Sequence, residues 1–211
     1  MKRLIVIRHG YSVTNKEKRF TGQRDVALTE VGYQQAKAVA RYLVKHEKID
    51  KIISSDLSRA VNTARPTAEA LGLPIHTTPL LRELAMGTWE GMLFEDVQRE
   101  YQDLLAQRSK DASVPCPGGE SFKDLFVRTQ AALDRILADE ADTVMVVTHG
   151  GTFRCINCIA DGGDYTAAPH HSLADNASIT VFNVENGRLV RALYNFTGHL
   201  RDGTTADRNL L

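Results

Sequence analysis

Two histidines follow apolar runs in the same way. Residues 4–7 (LIVI) lead into Arg8-His9-Gly10, and residues 144–147 (VMVV) lead into Thr148-His149-Gly150-Gly151. A third, shorter run, Ile52-Ile53, leads into "SSDLSRAVNTA", which brings Ser54, Ser55 and Arg59 after it. A neutral imidazole can attack phosphorus, and a guanidinium offers planar paired donors that match phosphate oxygens. Glycine after each histidine lets the backbone approach a ligand closely, and a helix N-terminus adds free N–H groups and a favourable dipole. The inferred ligand is a phosphate, and the inferred chemistry is phosphoryl transfer through histidine. Taken singly, each residue has a structural reading: a hydrogen-bonded histidine at a strand end, Arg59 as a solvated helix residue, Arg8 as the flank of a buried strand. Their joint occurrence at three strand ends carries the functional one, because a bare phosphate site has no need of two histidines.

The elements that must position them follow from hydrophobic periodicity. The runs at 4–7 and 144–147 are continuous and rich in β-branched residues, the pattern of strands covered on both faces. Helices are expected at 30–46, 58–71, 94–107 and 121–138, where apolar residues recur at three- and four-residue intervals. In the second, Leu57, Val61, Ala64, Ala68 and Leu71 form one face. "SITVFNVENGRLVRALYNF" reads as strands 178–184 and 189–196 around a turn at Glu185-Asn186-Gly187. Strand and helix alternate, so the expected fold class is α/β: a three-layer α/β/α sandwich with a mostly parallel central sheet, a C-terminal antiparallel hairpin at its edge, and a small helical insertion over the site. In such sheets ligands bind outside the carboxyl ends of the strands, where both histidines arrive. The expected organisation is a single domain, 1–211, with 84–119 as a lid or insertion segment. Stretches 109–119 and 161–171 read as loops.

Composition narrows the partners. The chain has 211 residues, 43% of them hydrophobic, enough for one substantial core. Its 26 basic and 26 acidic residues cancel, so no overall field draws it to nucleic acid or a membrane surface, and an anion must be held locally. No apolar run approaches the roughly 18 residues of a membrane span, and the chain opens on a strand rather than a signal segment, so a cytoplasmic address is expected. Cys116, Cys155 and Cys158 are too few for a disulfide framework. Cys155 and Cys158 form C-x-x-C without a second pair and read as packed thiols of a core helix rather than a redox or zinc site. No metal site is expected. His170-His171 lacks metal-ligand spacing and reads as a loop pair that could contact substrate.

The ordered motifs resemble those of the histidine phosphatase superfamily, in its phosphoglycerate mutase-like branch: "RHG" at 8–10, "RFTGQRDVALTEVG" at 19–32, "SSDLSRAVNTA" at 54–64, "LRELAMGTWEG" at 81–91, "PGGES" at 117–121 and "VTHGG" at 147–151. The resemblance implies that His9 becomes phosphohistidine, and that Arg8, Arg59 and His149 hold the phosphoryl oxygens. It implies that Glu83 protonates the leaving alkoxide and then activates water. It also places Asn15, Thr21, Gly22 and the Gly150 N–H in the substrate pocket. By itself Glu83 reads as a surface carboxylate beside Arg82. With arginine and imidazole neutralising the phosphoryl charge, no metal or other cofactor is called for.

Three readings follow: a phosphatase acting on a small phosphorylated metabolite, a phosphoglycerate mutase needing 2,3-bisphosphoglycerate as cofactor, and a non-catalytic phosphate-binding module. Retention of both histidines, both arginines and Glu83 speaks against the module. Mutases of the family typically carry a paired arginine after this glutamate to grip a second anionic group. Here Arg99 and Arg108 stand isolated, which favours a broad-specificity type of phosphatase. The expected partner is a small-molecule phosphate ester, and the chain is compatible with a homodimer. Tyr11 departs from the family pattern, in which a short or medium polar residue usually follows "RHG", and bears on the choice of substrate.

Overall fold

The computed structural model describes residues 1–201, so the last ten positions of the expected range 1–211 lie outside the described residues. In chain order the elements are β1 (Arg3–Arg8), α1 (Val13–Lys16), α2 (Glu30–His46), β2 (Lys51–Ser55), α3 (Ser58–Leu71), β3 (Ile75–Thr78), α4 (Phe94–Glu100), α5 (Gln102–Lys110), α6 (Phe122–Leu137), β4 (Thr143–Thr148), α7 (Gly150–Ala160), β5 (Ile179–Glu185) and β6 (Arg188–Phe196). The strands form one sheet in the order β3-β2-β4-β1-β5-β6. The first four run parallel, and β5 and β6 run antiparallel to their neighbours. This is the α/β fold read from the sequence, with the hairpin at the edge.

Alternation along β1 splits the core into two layers. Ile5 and Ile7 pack with Val39 and Leu43 of α2 and Ala60 and Ala64 of α3. Leu4 and Val6 pack on the other face with Leu133 and Ile136 of α6 and Phe153 and Ile156 of α7. A strand buried on both faces therefore reads as an unbroken apolar run. Thr29 caps α2 by accepting from Gly32 N, and Ser121 forms a reciprocal capping box with Asp124 at the start of α6. Asn186 and Gly187 both have positive φ, 51° and 76°, the two-residue hairpin turn that the Asn-Gly pair favours. Among the described residues no helix is long and apolar enough to cross a membrane.

Several expectations shift. The α3 face is wider than the predicted one: Leu57, Ala64 and Ala68 are buried and Leu71 packs against the core as expected, Ala60, Thr63 and Thr67 are buried as well, and Val61 is half-buried. Of the added residues, Thr63 serves the site, where its hydroxyl accepts from Gly10 N. The helix expected at 94–107 is two helices, broken at Tyr101 (φ −123°, ψ 31°), whose ring turns onto Trp89 at 5.5 Å between centroids. β3 and α1 carry no apolar pattern and were not anticipated. Residues 84–119 build a separate apolar cluster with α6 and α7, in which Leu84, Trp89, Val97 and Cys116 meet Leu125, Cys155 and Cys158. Trp89 is 2% exposed, so it is a core residue of this cluster rather than a pocket wall.

Backbone contact fixes the end of β1. A Cβ at Gly10 would lie 2.7 Å from Gly32 O, and one at Gly32 would lie 2.2 Å from Tyr11 O. Tyr11 O also accepts from Thr29 N and Thr29 Oγ1, both at 2.9 Å. No flexible side chain is available to yield. Gly32→Ala is therefore expected to cost about 1–3 kcal/mol of stability, read as a lowered denaturant midpoint at unchanged slope.

Candidate active site

Sheet register brings the two histidines together. Arg8 pairs with Thr148 in the parallel β1–β4 ladder, so the next residues, His9 and His149, emerge side by side with ring centroids 5.2 Å apart. His9 N donates to Thr148 O at 2.9 Å. His9 Nδ1 lies 2.8 Å from Gly10 O. A carbonyl only accepts, so the proton of the neutral ring sits on Nδ1 and the lone pair on Nε2. His149 Nε2 lies 2.8 Å from Ser55 Oγ at the end of β2, and its Nδ1 is buried without a protein partner.

The arginines complete the cradle. Arg59, in the first turn of α3, reaches back to donate from Nη2 to Gly22 O (2.8 Å) and from Nη1 to Arg24 O (3.0 Å). Asp25 fastens the same loop by accepting from Ser58 N at the N-terminus of α3 (2.8 Å). Thr63 Oγ1 accepts from Gly10 N (2.9 Å) and donates to Arg59 O (2.7 Å), tying the two segments together. Arg8 Nη1 donates to Ala174 O, and the Nε atoms of Arg8 and Arg59 have no protein partner. Arg8, His9, Arg59 and His149 are only 7%, 5%, 1% and 0% exposed. Buried cations and imidazoles at one sheet edge form a site that favours a multiply charged anion.

Glu83 stands at the start of α7. Both its oxygens accept from Gly151 N at 3.0 Å, and Oε1 also accepts from Leu84 N at 2.8 Å. The carboxylate thus takes the place of a side-chain cap, which His149 does not supply. A Cβ at Gly150 would stand 2.5 Å from Leu173 Cδ1, and one at Gly151 would stand 2.4 Å from Glu83 Oε1. Glycine at 151 lets the carboxylate reach the first-turn amides. Glu83 is thus no plain surface carboxylate. Its neighbour Arg82 instead pairs with Asp56, at 2.6 Å and 2.7 Å.

The remaining predicted positions lie around this centre. Gly22 gives its carbonyl to Arg59. Thr21 Oγ1 meets Thr14 Oγ1 at 2.6 Å. Asn15 Oδ1 accepts from Ser12 and, at 3.2 Å, from Asn176 Nδ2. Asn176 was missed by sequence reasoning; it donates to His9 O at 2.9 Å and braces the end of β1 from a loop without periodic pattern. Ser55 and Thr63 lay inside a quoted motif, and their contacts with His149 and Gly10 follow from their placement. His171 faces Asp161 on the surface, at 3.7 Å, and His170 is exposed. The three cysteines are buried and free, with burial pushing Cys116 up to about 11 and raising Cys155 and Cys158 as well. Such thiols are poor nucleophiles. Among the described residues no cluster of three or more His, Cys, Asp or Glu is arranged to hold a metal ion.

Burial, then the charges of Arg59 and Arg8, push His9 well below the usual imidazole range, against the opposing bond to Gly10 O. Burial and Arg59 do the same to His149. Burial lowers Arg59 to about 10, which leaves it charged at neutral pH. Both rings are therefore neutral near pH 7. In the unfolded chain they bind protons near pH 6.5, whereas in the folded chain they do so only well below that. Across this interval the unfolded state holds more protons, so falling pH favours unfolding. His199, held at about 4 by burial, acts in the same direction. The denaturant midpoint is expected to fall steadily as pH drops below about 6.5, and His149→Asn should flatten that dependence.

Comparison with known proteins adds an independent line. A family model of the histidine phosphatase superfamily (branch 1) matches residues 4–197. The chain spans about half the length of the first curated relatives it matches, mycobacterial proteins 34% identical over 200 residues that cover 94% of this chain and 55% of theirs. Phosphoserine phosphatase 1 of Hydrogenobacter thermophilus is 34% identical over 202 residues, 95% of each chain. Phosphoglycerate mutase-like protein 4 of Arabidopsis thaliana is 36% identical over 158 residues, 72% of this chain and 68% of that protein. Among solved structures, a mycobacterial glucosyl-3-phosphoglycerate phosphatase superposes with a TM-score of 0.85 at 29% identity, covering 93% of this chain and 100% of that one.

Proposed function

This chain belongs to the histidine phosphatase superfamily, branch 1, and from that premise we propose that it hydrolyses a small phosphorylated metabolite through a phosphohistidine on His9. The observation that carries the reading is the buried His9 ring, its Nδ1 held by Gly10 O, lying beside His149 and under the charges of two buried arginines, Arg59 and Arg8. In the first step the His9 Nε2 lone pair forms a bond to phosphorus while the P–O bond to the leaving group breaks. Glu83 gives its proton to the departing oxygen. In the second step water attacks phosphorus, the P–N bond breaks, and Glu83 takes the proton back. Arg8, Arg59, His149 and the Gly150 N–H meet the charge on the phosphoryl oxygens, so the reaction as proposed calls on no metal. Asn15, Thr21 and Gly22 border the leaving group, beneath a lid formed by 84–119. Relatives that are phosphatases of small phosphate esters support the substrate class. A cytoplasmic setting accords with three free cysteines.

A quenched reaction with nitrophenyl phosphate is expected to leave phosphate on the protein that is labile in acid and stable in base. Acid-stable label would overturn the histidine assignment. In a panel of phosphorylated metabolites, 3-phosphoglycerate with and without 2,3-bisphosphoglycerate separates phosphatase from mutase. Hydrolysis should exceed isomerisation, and the reverse would transfer the assignment to a mutase.

A further inference from the structure

Arg128, in the middle of α6, spends its whole guanidinium on one short segment. Nη1 donates to Leu80 O (3.0 Å) and Arg82 O (2.6 Å), and Nη2 donates to Glu83 O (2.7 Å). The two remaining N–H groups go to Glu120, Nε to Oε1 (2.8 Å) and Nη2 to Oε2 (2.9 Å). A guanidinium carries five N–H donors, so none is left for a substrate. Glu120 extends the grip, since its Oε2 also accepts from Ala85 N (2.9 Å) while its backbone N donates to Ala85 O (2.8 Å). The two side chains are only 14% and 22% exposed.

The segment so held, 80–85, is irregular around Glu83. It has no helix or strand of its own to set that residue's direction beyond the short turn at Pro79–Leu81. Other side chains take carbonyls of the same segment: Thr148 binds Leu81 O, Thr152 binds Arg82 O, and Gln23 binds Glu83 O. Arg128 binds three of the four carbonyls from 80 to 83, and with Glu120 it spans both sides of Glu83. A carboxylate that delivers a proton in the transition state must be placed to within a fraction of an ångström, and a misplacement of about 1 Å costs roughly 10²-fold.

We propose that the Arg128–Glu120 pair is a positioning device for Glu83, acting on leaving-group protonation through the backbone of 80–85 without touching substrate. The inference rests on the reading of Glu83 as the acid. A purely structural role would lower the rate for all esters alike. A positioning role lowers it in proportion to how much the leaving oxygen needs a proton.

The test compares Arg128→Gln, Glu120→Gln, Arg128→Lys and Glu83→Gln on nitrophenyl phosphate and on an alkyl ester such as glycerol phosphate. Phosphoenzyme burst amplitude with the nitrophenyl ester counts the intact sites in each preparation. Per intact site, Arg128→Gln and Glu120→Gln should lose about 10²-fold in kcat/KM on the alkyl ester while kcat/KM on nitrophenyl phosphate, which reports transfer to His9 and not the water step shared by all esters, is largely kept. Arg128→Lys, which cannot bridge all these carbonyls, should recover only part of the loss. Adding Arg128→Gln to Glu83→Gln should cost nothing more on the alkyl ester. If Glu83→Gln discriminates between the esters and the Arg128 and Glu120 variants do not, the positioning role is overturned and the acid assignment stands. If Glu83→Gln itself treats both esters alike, the acid assignment fails and this inference falls with it.

Discussion

Alanine at position 9 is expected to remove hydrolysis of every phosphate ester by roughly 10⁴- to 10⁶-fold, the scale seen when a covalent nucleophile is deleted. No neighbour can substitute. His149 lies 5.2 Å away, ring centre to ring centre, with Nε2 engaged by Ser55, and the three thiols are buried with raised pKa values. The proposed phosphate cradle consists of Arg8, Arg59 and the start of α7, and the hydrogen bonds that hold the two arginines do not involve the His9 ring. His9→Ala should therefore still bind inorganic phosphate while losing both turnover and acid-labile labelling. Retained labelling would show that another group is the nucleophile. Loss of phosphate binding together with activity would instead show that the ring holds the anion.

The second large effect depends on the leaving group. Glu83→Gln should lower kcat/KM for alkyl phosphates by about 10²- to 10⁴-fold, the usual contribution of a positioned acid, and for nitrophenyl phosphate far less, because nitrophenolate departs without a proton and the water step that Glu83 also serves comes after the step that kcat/KM reports. The amide can still accept from Gly151 N and Leu84 N, so the start of α7 and the phosphate cradle should survive. The discriminating quantity is the ratio of kcat/KM between the two esters. A ratio equal to that of the unaltered enzyme would remove Glu83 from the proton-transfer role.

What could be read from the sequence divides along physical lines. His9 and His149 were visible because strands buried on both faces leave continuous apolar runs, and the polar residues that end those runs mark the sheet edge. The same logic exposed Ser54, Ser55 and Arg59 behind a two-residue run. Glu83 needed the family resemblance, since an irregular segment imposes no period that points its side chain anywhere. Asn176 escaped for the same reason. Arg128 escaped for the opposite one, because in a well-formed amphipathic helix a charged residue reads as solvent-facing, and the carbonyls it binds lie 45 to 48 residues away. In α3 the periodicity picked out Leu57, Ala64, Ala68 and Leu71, which do face the core, and left out Thr63 and Thr67, because a buried threonine gives no apolar signal.

Two guanidinium groups sunk at the sheet edge give up hydration that an oxyanion can replace. In mass-action terms, anything that binds the folded chain and not the unfolded one raises its unfolding free energy, by about 2.7 kcal/mol at one hundred times Kd. For a chain of this length that corresponds to a rise of several degrees in Tm, at about 2–4 °C per kcal/mol. With His9→Ala, which should bind without consuming, the rise would persist for as long as the ligand is present. Candidate metabolites could then be ranked by the heat the inert protein withstands in their presence, so the buried charge proposed to bind the phosphoryl group would also make the pocket a thermometer for its own substrate.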